Sequence, residues 1–338
     1  MTVRIGVIGV GMIGQDHIRR VTQVLSGGRI VAVSDVDLAR AQQLAKGLPG
    51  AVVFATGEEL IRCTDVDAVM VTSSGQTHEQ YVLAAIAAGK PVFCEKPLAT
   101  TQQACSRIVD AEVAAGKRLV QVGFMRRYDE AYRALRHSLK GGSVGQALLI
   151  HCAHRNPEVP DSYVTEMAIH DTAIHEIDAM RWLLDEEIVA TRVLKPRRSS
   201  RAASHLQDPL VVMLESASGV LVDVEVSVNI AYGYDIRCEI VGETGTVALG
   251  ESSRICVRSG TALRTSIPAD WRERFVRAYD IEIQEWINDL AAGRGPTGPN
   301  AWDGYAAAVV SDSAVNSLKT GERATVSLRT QPDLYKTH

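Results

Sequence analysis

Through the first third of the chain, short β-branched runs alternate with segments whose apolar residues recur at helical spacing. RIGVIG (4–9) leads into a helical pattern over 12–25, and IVAVSD (30–35) into another over 38–46. AVVF (51–54) and DAVMVTS (67–73) precede a helical pattern over 79–88, and PVFCE (91–95) one over 102–115 that ends in RLVQVGF (118–124). This alternation predicts βαβ units. Residues 68–71 and 91–93 are continuous apolar runs, as expected of parallel strands covered on both faces. A doubly wound α/β (Rossmann) sheet is therefore predicted for residues 1–123.

After Phe124 the pattern changes. A helical stretch over 129–139 gives way to QALLIHCAH (146–154) and later to VLVDVEVSVN (220–229). In the latter Val222, Val224, Val226 and Val228 share one face, and Asp223, Glu225, Ser227 and Asn229 the other. Turn signals at Ser218-Gly219 and 243–245, and helical patterns over 275–292 and 302–318, complete an α+β domain over 124–338. Its sheet is predicted to be large, open and mostly antiparallel, with one face buried.

Composition narrows the function. With 338 residues, 46% hydrophobic and 22% charged, the chain has room for about two ordinary folded domains. Thirty-six basic against 40 acidic residues give a net charge of −4, which offers no general attraction to nucleic acid or anionic lipid and points to a small-molecule partner. The six cysteines form no C-x-x-C pair, and neither a signal-peptide pattern nor 18 consecutive apolar residues occur. A cytoplasmic protein is expected, with no nucleic-acid or membrane partner.

Gly9-Val10-Gly11-Met12-Ile13-Gly14 follows the first strand and opens the first helix. Glycines in G-x-G-x-x-G spacing permit a tight turn and close approach of backbone to a pyrophosphate, which the helix N-terminus favours. Asp35 ends the second strand, where a carboxylate can accept hydrogen bonds from both hydroxyls of an adenosine ribose. A 2′-phosphate at about 4 Å would be repelled by about 4 kcal/mol at an effective dielectric of 20. NAD is expected rather than NADP, although Arg40 lies close in sequence; an acidic cap for the next helix is compatible with the same aspartate.

Lys96, in Cys94-Glu95-Lys96-Pro97, falls at the C-terminal end of a parallel strand, where ligands of open α/β sheets gather. A lysine there can stabilise an alkoxide as hydride leaves, with Pro97 stiffening the turn; a surface ion pair before a proline turn fits the same residues. Further along, Asp171, His175, Asp178 and Trp182 fall within about one sixth of a helix circumference at 100° per residue. Three readings fit that stripe: a solvated face with an i,i+4 pair, a metal-ligand set, or a general base. In the last, His175, with an unperturbed pKa of about 6.5, accepts an alcohol proton while Asp171 orients the ring.

GVIGVGMIG (6–14), VSDVD (33–37), FCEKPLATT (93–101), the Asp171/His175 pair and the long second-half strands occur in an order that resembles the glucose–fructose oxidoreductase/inositol dehydrogenase family over nearly the whole chain. GFMRRYD (123–129), HCAHRNP (151–157), YGYDIRCEIVGE (232–243) and GPNAWDGY (298–305) resemble its bacterial inositol-oxidising members. The resemblance implies NAD-linked, metal-free oxidation of myo-inositol to scyllo-inosose by a homotetramer whose broad sheets pack together. It implies chemistry at Lys96, Asp171 and His175, and cofactor contacts at Gly9, Gly11, Met12, Ile13, Gly14, Asp35, Thr72, Ser73, Ser74, His78, Glu95 and Lys96. It also places Met125, Arg126, His154, Asn156, Thr172 and Tyr234 near the ring; strand packing is expected of His151 and Tyr232, since neighbours two or three apart cannot all point inward.

Relatives often carry Trp and Pro where this chain has Ser74 and Gln76, and an apolar residue at His170, which bears on cofactor packing and on the preferred isomer. Oxidation of another polyol (scyllo- or chiro-inositol, or a pyranose such as glucose) is the nearest rival. A noncatalytic NAD(H)-binding sensor is the rival of different class, and the intact Lys96, Asp171 and His175 argue against it.

Overall fold

The structure is a computed structural model describing residues 1–250 and 256–336. It forms two compact units: Met1–Phe124 with Tyr279–Ala308 and Leu328–His338, and Met125–Ala278 with Val309–Ser327.

The first unit begins β1 (Val3–Ile8), α1 (Met12–Gln23), β2 (Gly28–Ser34), α2 (Leu38–Ala45), β3 (Val52–Phe54) and α3 (Gly57–Arg62). It continues β4 (Ala68–Val71), α4 (Gly75–Ala87), β5 (Val92–Cys94), α5 (Gln102–Ala115) and β6 (Val120–Val122). All six strands run parallel in the order β3-β2-β1-β4-β5-β6, the doubly wound order that places ligands at the carboxyl ends of its strands. Helix starts are set locally: Asp37, Thr56 and Thr101 accept the N–H groups of Arg40, Glu59 and Ala104, answering donors that each first turn leaves open. Thr56 and Glu59 mark the start of α3, a six-residue helix too short for its apolar spacing to announce it.

The second unit contains a 3₁₀ turn (Met125–Tyr128), α6 (Glu130–Lys140), β7 (Ala147–Arg155), a π turn (Ala168–Ala173), α7 (Ile174–Leu184), β8 (Ile188–Leu194) and β9 (Leu210–Ser216). β10 (Leu221–Ser227), β11 (Asp235–Gly242), β12 (Thr246–Ala248), β13 (Cys256–Ser259) and β14 (Ala262–Thr265) follow. After these come α8 (Trp271–Ala291), α9 (Ala301–Thr320), β15 (Ala324–Thr325) and a 3₁₀ turn (Asp333–Tyr335). The large sheet runs β12-β11-β7-β10-β9-β8-β15, and only β7 and β10 pair in parallel. Val222, Val224 and Val226 are buried while Asp223 and Glu225 are half-exposed, as alternation requires; Ser227 departs from it, being buried with its hydroxyl donating to Glu225 at 3.1 Å.

The expected continuous domain over 124–338 is not what forms. Ile283, Trp286 and Ile287 of α8 join Val3, Ile5 and Phe93 in the core of the first unit, with the rings of Phe93 and Trp286 5.9 Å apart. Both core faces of that sheet need apolar cover, and local pattern does not say which distant helix supplies it.

Glu112 of α5 joins sequence-distant segments of the same unit. One carboxylate oxygen accepts the N–H groups of Leu119 and Val120 (2.7 Å to the latter), and the other accepts the Tyr335 hydroxyl at 2.7 Å. Burial raises its pKa, and these donors partly oppose the rise. A raised folded pKa means that the folded chain holds the proton more tightly. The associated stability is complete below the ordinary carboxylate pKa and is lost as pH rises through the folded value. Tyr335→Phe is expected to lower stability by about 1–3 kcal/mol at neutral pH in urea unfolding. Glu112→Gln, which keeps an acceptor and removes the charge, should flatten that pH dependence.

Candidate functional site

In the first unit the three glycines have separable roles. Gly9 has φ +91°, and a Cβ there would lie 2.5 Å from the Ser73 Cα; one at Gly14 would lie 2.1 Å from the Gly9 carbonyl oxygen. At Gly11, the residue capping α1, a Cβ would meet nothing within 4 Å. Two glycines thus permit close packing, while the third opens onto free space beside the N–H groups of the first helical turn, where a diphosphate fits. The buried Thr72 holds this arrangement, its hydroxyl donating to the Gly9 carbonyl at 2.6 Å. Met12 is exposed and Ile13 half-buried at the same helix end.

Asp35 accepts the Val10 N–H at 2.7 Å on one oxygen and the Asp37 N–H at 2.8 Å on the other. Since an ionised carboxylate offers about four acceptor directions, the two backbone bonds aim it and leave capacity for two ribose hydroxyls. Asp37, not Asp35, caps α2. The Arg40 guanidinium lies 3.8 Å from Asp35 and 3.2 Å from Asp37. Val36, which the sequence reading passed over, is fully exposed beside them and offers an apolar ledge to a flat base.

At the end of β5, Glu95 is buried and its carboxylate lies 2.7 Å from His17 Nε2 of α1; its other oxygen accepts the Lys96 N–H at 3.2 Å. Lys96 is half-buried. His78 of α4 directs Nδ1 at the Pro97 carbonyl (2.7 Å) and Nε2 at the Ser73 carbonyl (3.0 Å), and burial lowers its pKa. Among the expected cofactor contacts, Glu95 and His78 therefore act as framework for the loops that carry Lys96 and Ser73. The Ser73 and Thr77 hydroxyls pair at 2.7 Å, and Ser74 is exposed at the start of α4.

In the second unit the helix expected to carry Asp171 and His175 is not uniform. Asp171 lies in the π turn and His175 in the first turn of α7. The i→i+5 bonding of a π turn widens the spiral, a distortion frequent at functional sites, so the angles of a regular helix do not apply across this junction. Nor is the face solvated: His175 is 7% exposed, and Asp178 is 1% exposed and paired with Arg127. Thr172 pairs with the Tyr163 hydroxyl at 2.7 Å, and burial together with the nearby Asp171 charge raises the pKa of that phenol. His170 lies 3.5 Å from Asp312; burial lowers its pKa, against the pull of Asp312 and Glu166.

Arg126, His154 and Tyr234 are brought together around Glu176, which the sequence reading missed. Arg126 pairs with Glu176, whose other oxygen lies 3.0 Å from His154 Nδ1, and the Tyr234 hydroxyl is 3.3 Å from His154 Nε2. Burial would raise the Glu176 pKa, but Arg126 and His154 hold it low; burial pushes Tyr234 up to about 12. Tyr132, also unforeseen, lies 3.4 Å from the Arg126 guanidinium. Met125 is buried in the 3₁₀ turn, and Asn156, just past β7, bonds through its backbone to Ser227 and Ile230. His151 and Tyr232 are exposed and bonded to Asp223 and Asp235, so the outer sheet face is where they belong. Among the described residues, no group of three or more His, Cys, Asp or Glu is arranged to hold a metal ion, and no helix is long and apolar enough to cross a membrane.

Residues 3–124 match the model of an oxidoreductase family with an NAD-binding Rossmann fold, and 132–248 the GFO/IDH/MocA C-terminal domain. The chain is 55% identical to inositol 2-dehydrogenase of Serratia proteamaculans over 99% of both chains. It is also 55% identical to that of Agrobacterium fabrum, over 99% of this chain and all of that one. A solved structure of myo-inositol dehydrogenase from Lactobacillus casei, in complex with NAD(H) and myo-inositol, superposes with a TM-score of 0.97 at 41% identity, covering 99% of this chain and 100% of that one.

Glu176→Leu leaves the Arg126 charge buried without its counter-ion and is expected to cost about 3–5 kcal/mol in urea unfolding. Adding Arg126→Met should recover much of that loss, because no unpaired charge then remains.

Proposed function

The chain belongs to the GFO/IDH/MocA oxidoreductase family, and we propose from that premise that it catalyses the NAD-dependent oxidation of myo-inositol to scyllo-inosose. The observation that carries this reading is the full-length likeness to a chain solved with both NAD(H) and myo-inositol, joined to a glycine loop and an aspartate whose geometry suits NAD.

Gly9, Gly11, Met12, Ile13 and Gly14 would hold the diphosphate and Asp35 the adenosine ribose, with Thr72, Ser73 and Ser74 forming the neighbouring loop. When bound, the nicotinamide supplies the hydride acceptor. Oxidising a secondary alcohol also requires loss of the hydroxyl proton, and His175 takes it, with Asp171 supporting the resulting imidazolium. Lys96 supports the negative charge that grows on the alcohol oxygen. Arg126, His154 and Tyr234, locked by Glu176, serve with Met125, Asn156 and Thr172 in recognising the ring. A polyol whose isomers differ only in hydroxyl direction needs such fixed partners, because a site built for a particular hydroxyl rejects one that leaves its polar groups unpaired. The same reading makes the protein a cytoplasmic homotetramer, which analytical ultracentrifugation tests.

Initial rates of NAD reduction over myo-, scyllo- and chiro-inositol and glucose should be highest for myo-inositol; negligible turnover of it beside rapid turnover of another compound rejects the assignment. Lys96→Ala or His175→Ala should lower kcat by about 10²–10⁴-fold, with NADH affinity from fluorescence titration little changed. Unchanged turnover in either variant removes that residue from the chemistry. Asp35→Ser should raise the use of NADP relative to NAD, since it removes a repulsion of about 4 kcal/mol at close range.

A further inference from the structure

We propose that His17 and His78 are positioning residues for Lys96: two buried imidazoles from different helices that clamp the residues on either side of the lysine. This rests on the reading of Lys96 as the group that supports the developing alkoxide.

His17 lies on α1, the helix that the glycine loop opens, and is completely buried. Its Nε2 is 2.7 Å from Glu95 Oε1. An ionised carboxylate only accepts, so this nitrogen carries the proton, and in the neutral ring Nδ1 is then a bare lone pair. Nδ1 is buried without a hydrogen-bond partner, and the rings of Phe93 and Tyr279 pack at 5.7 and 5.6 Å. An apolar side chain would fill this space without an unsatisfied nitrogen, so packing alone does not account for a histidine. What the ring adds is its bond to Glu95, whose second oxygen accepts the N–H of Lys96 itself at 3.2 Å. Gly123 leaves room for this carboxylate, because a Cβ there would lie 3.2 Å from it.

On the other side His78 lies between the carbonyls of Pro97 and Ser73, with Nδ1 2.7 Å from the first and Nε2 3.0 Å from the second; the neutral ring that burial favours has one N–H to donate, and the shorter contact gives it to Pro97. The charges felt by this ring are those of Glu95 and Lys96. Residue 95 is thus tied to α1 and residue 97 to α4. The ammonium of Lys96 is carried on this main chain, so a displacement of residues 95–97 moves the anchor of its stem. Displacement of a reacting group by about 1 Å can lower a rate by about 10²-fold.

The test compares His17→Leu, which removes the bond, with His17→Gln, whose side-chain amide can still donate to Glu95. His17→Leu should lower kcat by about 10–100-fold, with KM for NAD and polyol nearly unchanged, and His17→Gln should restore most of the loss. In a Lys96→Ala background His17→Leu should have little further effect, because residues acting through one another are not additive. Additive losses would mean that His17 acts elsewhere and would overturn the proposal. A second arm needs no turnover: trace acetylation of the cofactor-free chain with acetic anhydride, read by peptide mass spectrometry, follows Lys96 against the exposed Lys46 and Lys117. His17→Leu and His78→Asn should change Lys96 labelling alone, and unchanged labelling would also overturn the proposal. Should His17→Leu fail to fold, Glu95→Gln, which removes the charge and keeps the shape, is expected to give the same kinetic and labelling changes. A wild-type chain that oxidises no polyol sinks the functional reading, and the labelling arm still decides the clamp.

Discussion

A carboxylate removed from water needs donors, and the end of β5 is organised around that need. Glu95 is 7% exposed. An isolated charge in such a place carries a desolvation penalty of several kcal/mol. Its answer comes from His17 of α1 and from the main chain of Lys96. That pairing links α1, capped by Gly11, to the strand end carrying Lys96, so the glycine loop and the main chain of Lys96 belong to one hydrogen-bonded arrangement. Thr72 and Asp35 extend it, each bonding the backbone of the glycine loop.

The second unit solves a related problem with a fuller set of charges. Arg126 and Glu176 are both about 1% exposed, and either alone would be prohibitive there. Together with His154, Tyr132 and Tyr234 they form a buried polar network, which rigidifies its members when satisfied. In the proposed function, fixed polar groups of this kind serve to select among polyols. Isomeric rings present the same atoms in different directions, so discrimination depends on groups whose own directions do not change.

Much of the architecture was legible in the pattern of residues. Parallel strands are buried on both faces, which leaves continuous apolar runs, and Ala68–Val71 and Val92–Cys94 are such strands. The alternation at Val222, Val224 and Val226 likewise marked the half-buried sheet of the second unit. Less legible were α3, whose six residues complete fewer than two turns, and the π turn, which a pattern read at 100° per residue treats as ordinary helix. The use of Ile283, Trp286 and Ile287 in the first unit's core also escaped local pattern, since an amphipathic stripe shows that a helix is covered and not by what.

The same division runs through the candidate site. Sequence alone singled out the glycine loop, the aspartate ending β2, the lysine after β5 and the positions of Asp171 and His175 as candidates, because each is a local pattern read from neighbours a few positions away. Tertiary structure decided that His17 meets Glu95 across 78 positions and that Arg126 meets Glu176 across 50. It also decided that His78 and Thr72 serve the loops around them through backbone carbonyls. Buried charge is stabilised by whichever partner folding brings within hydrogen-bond reach, and that distance is a property of the folded chain with no counterpart in residue spacing.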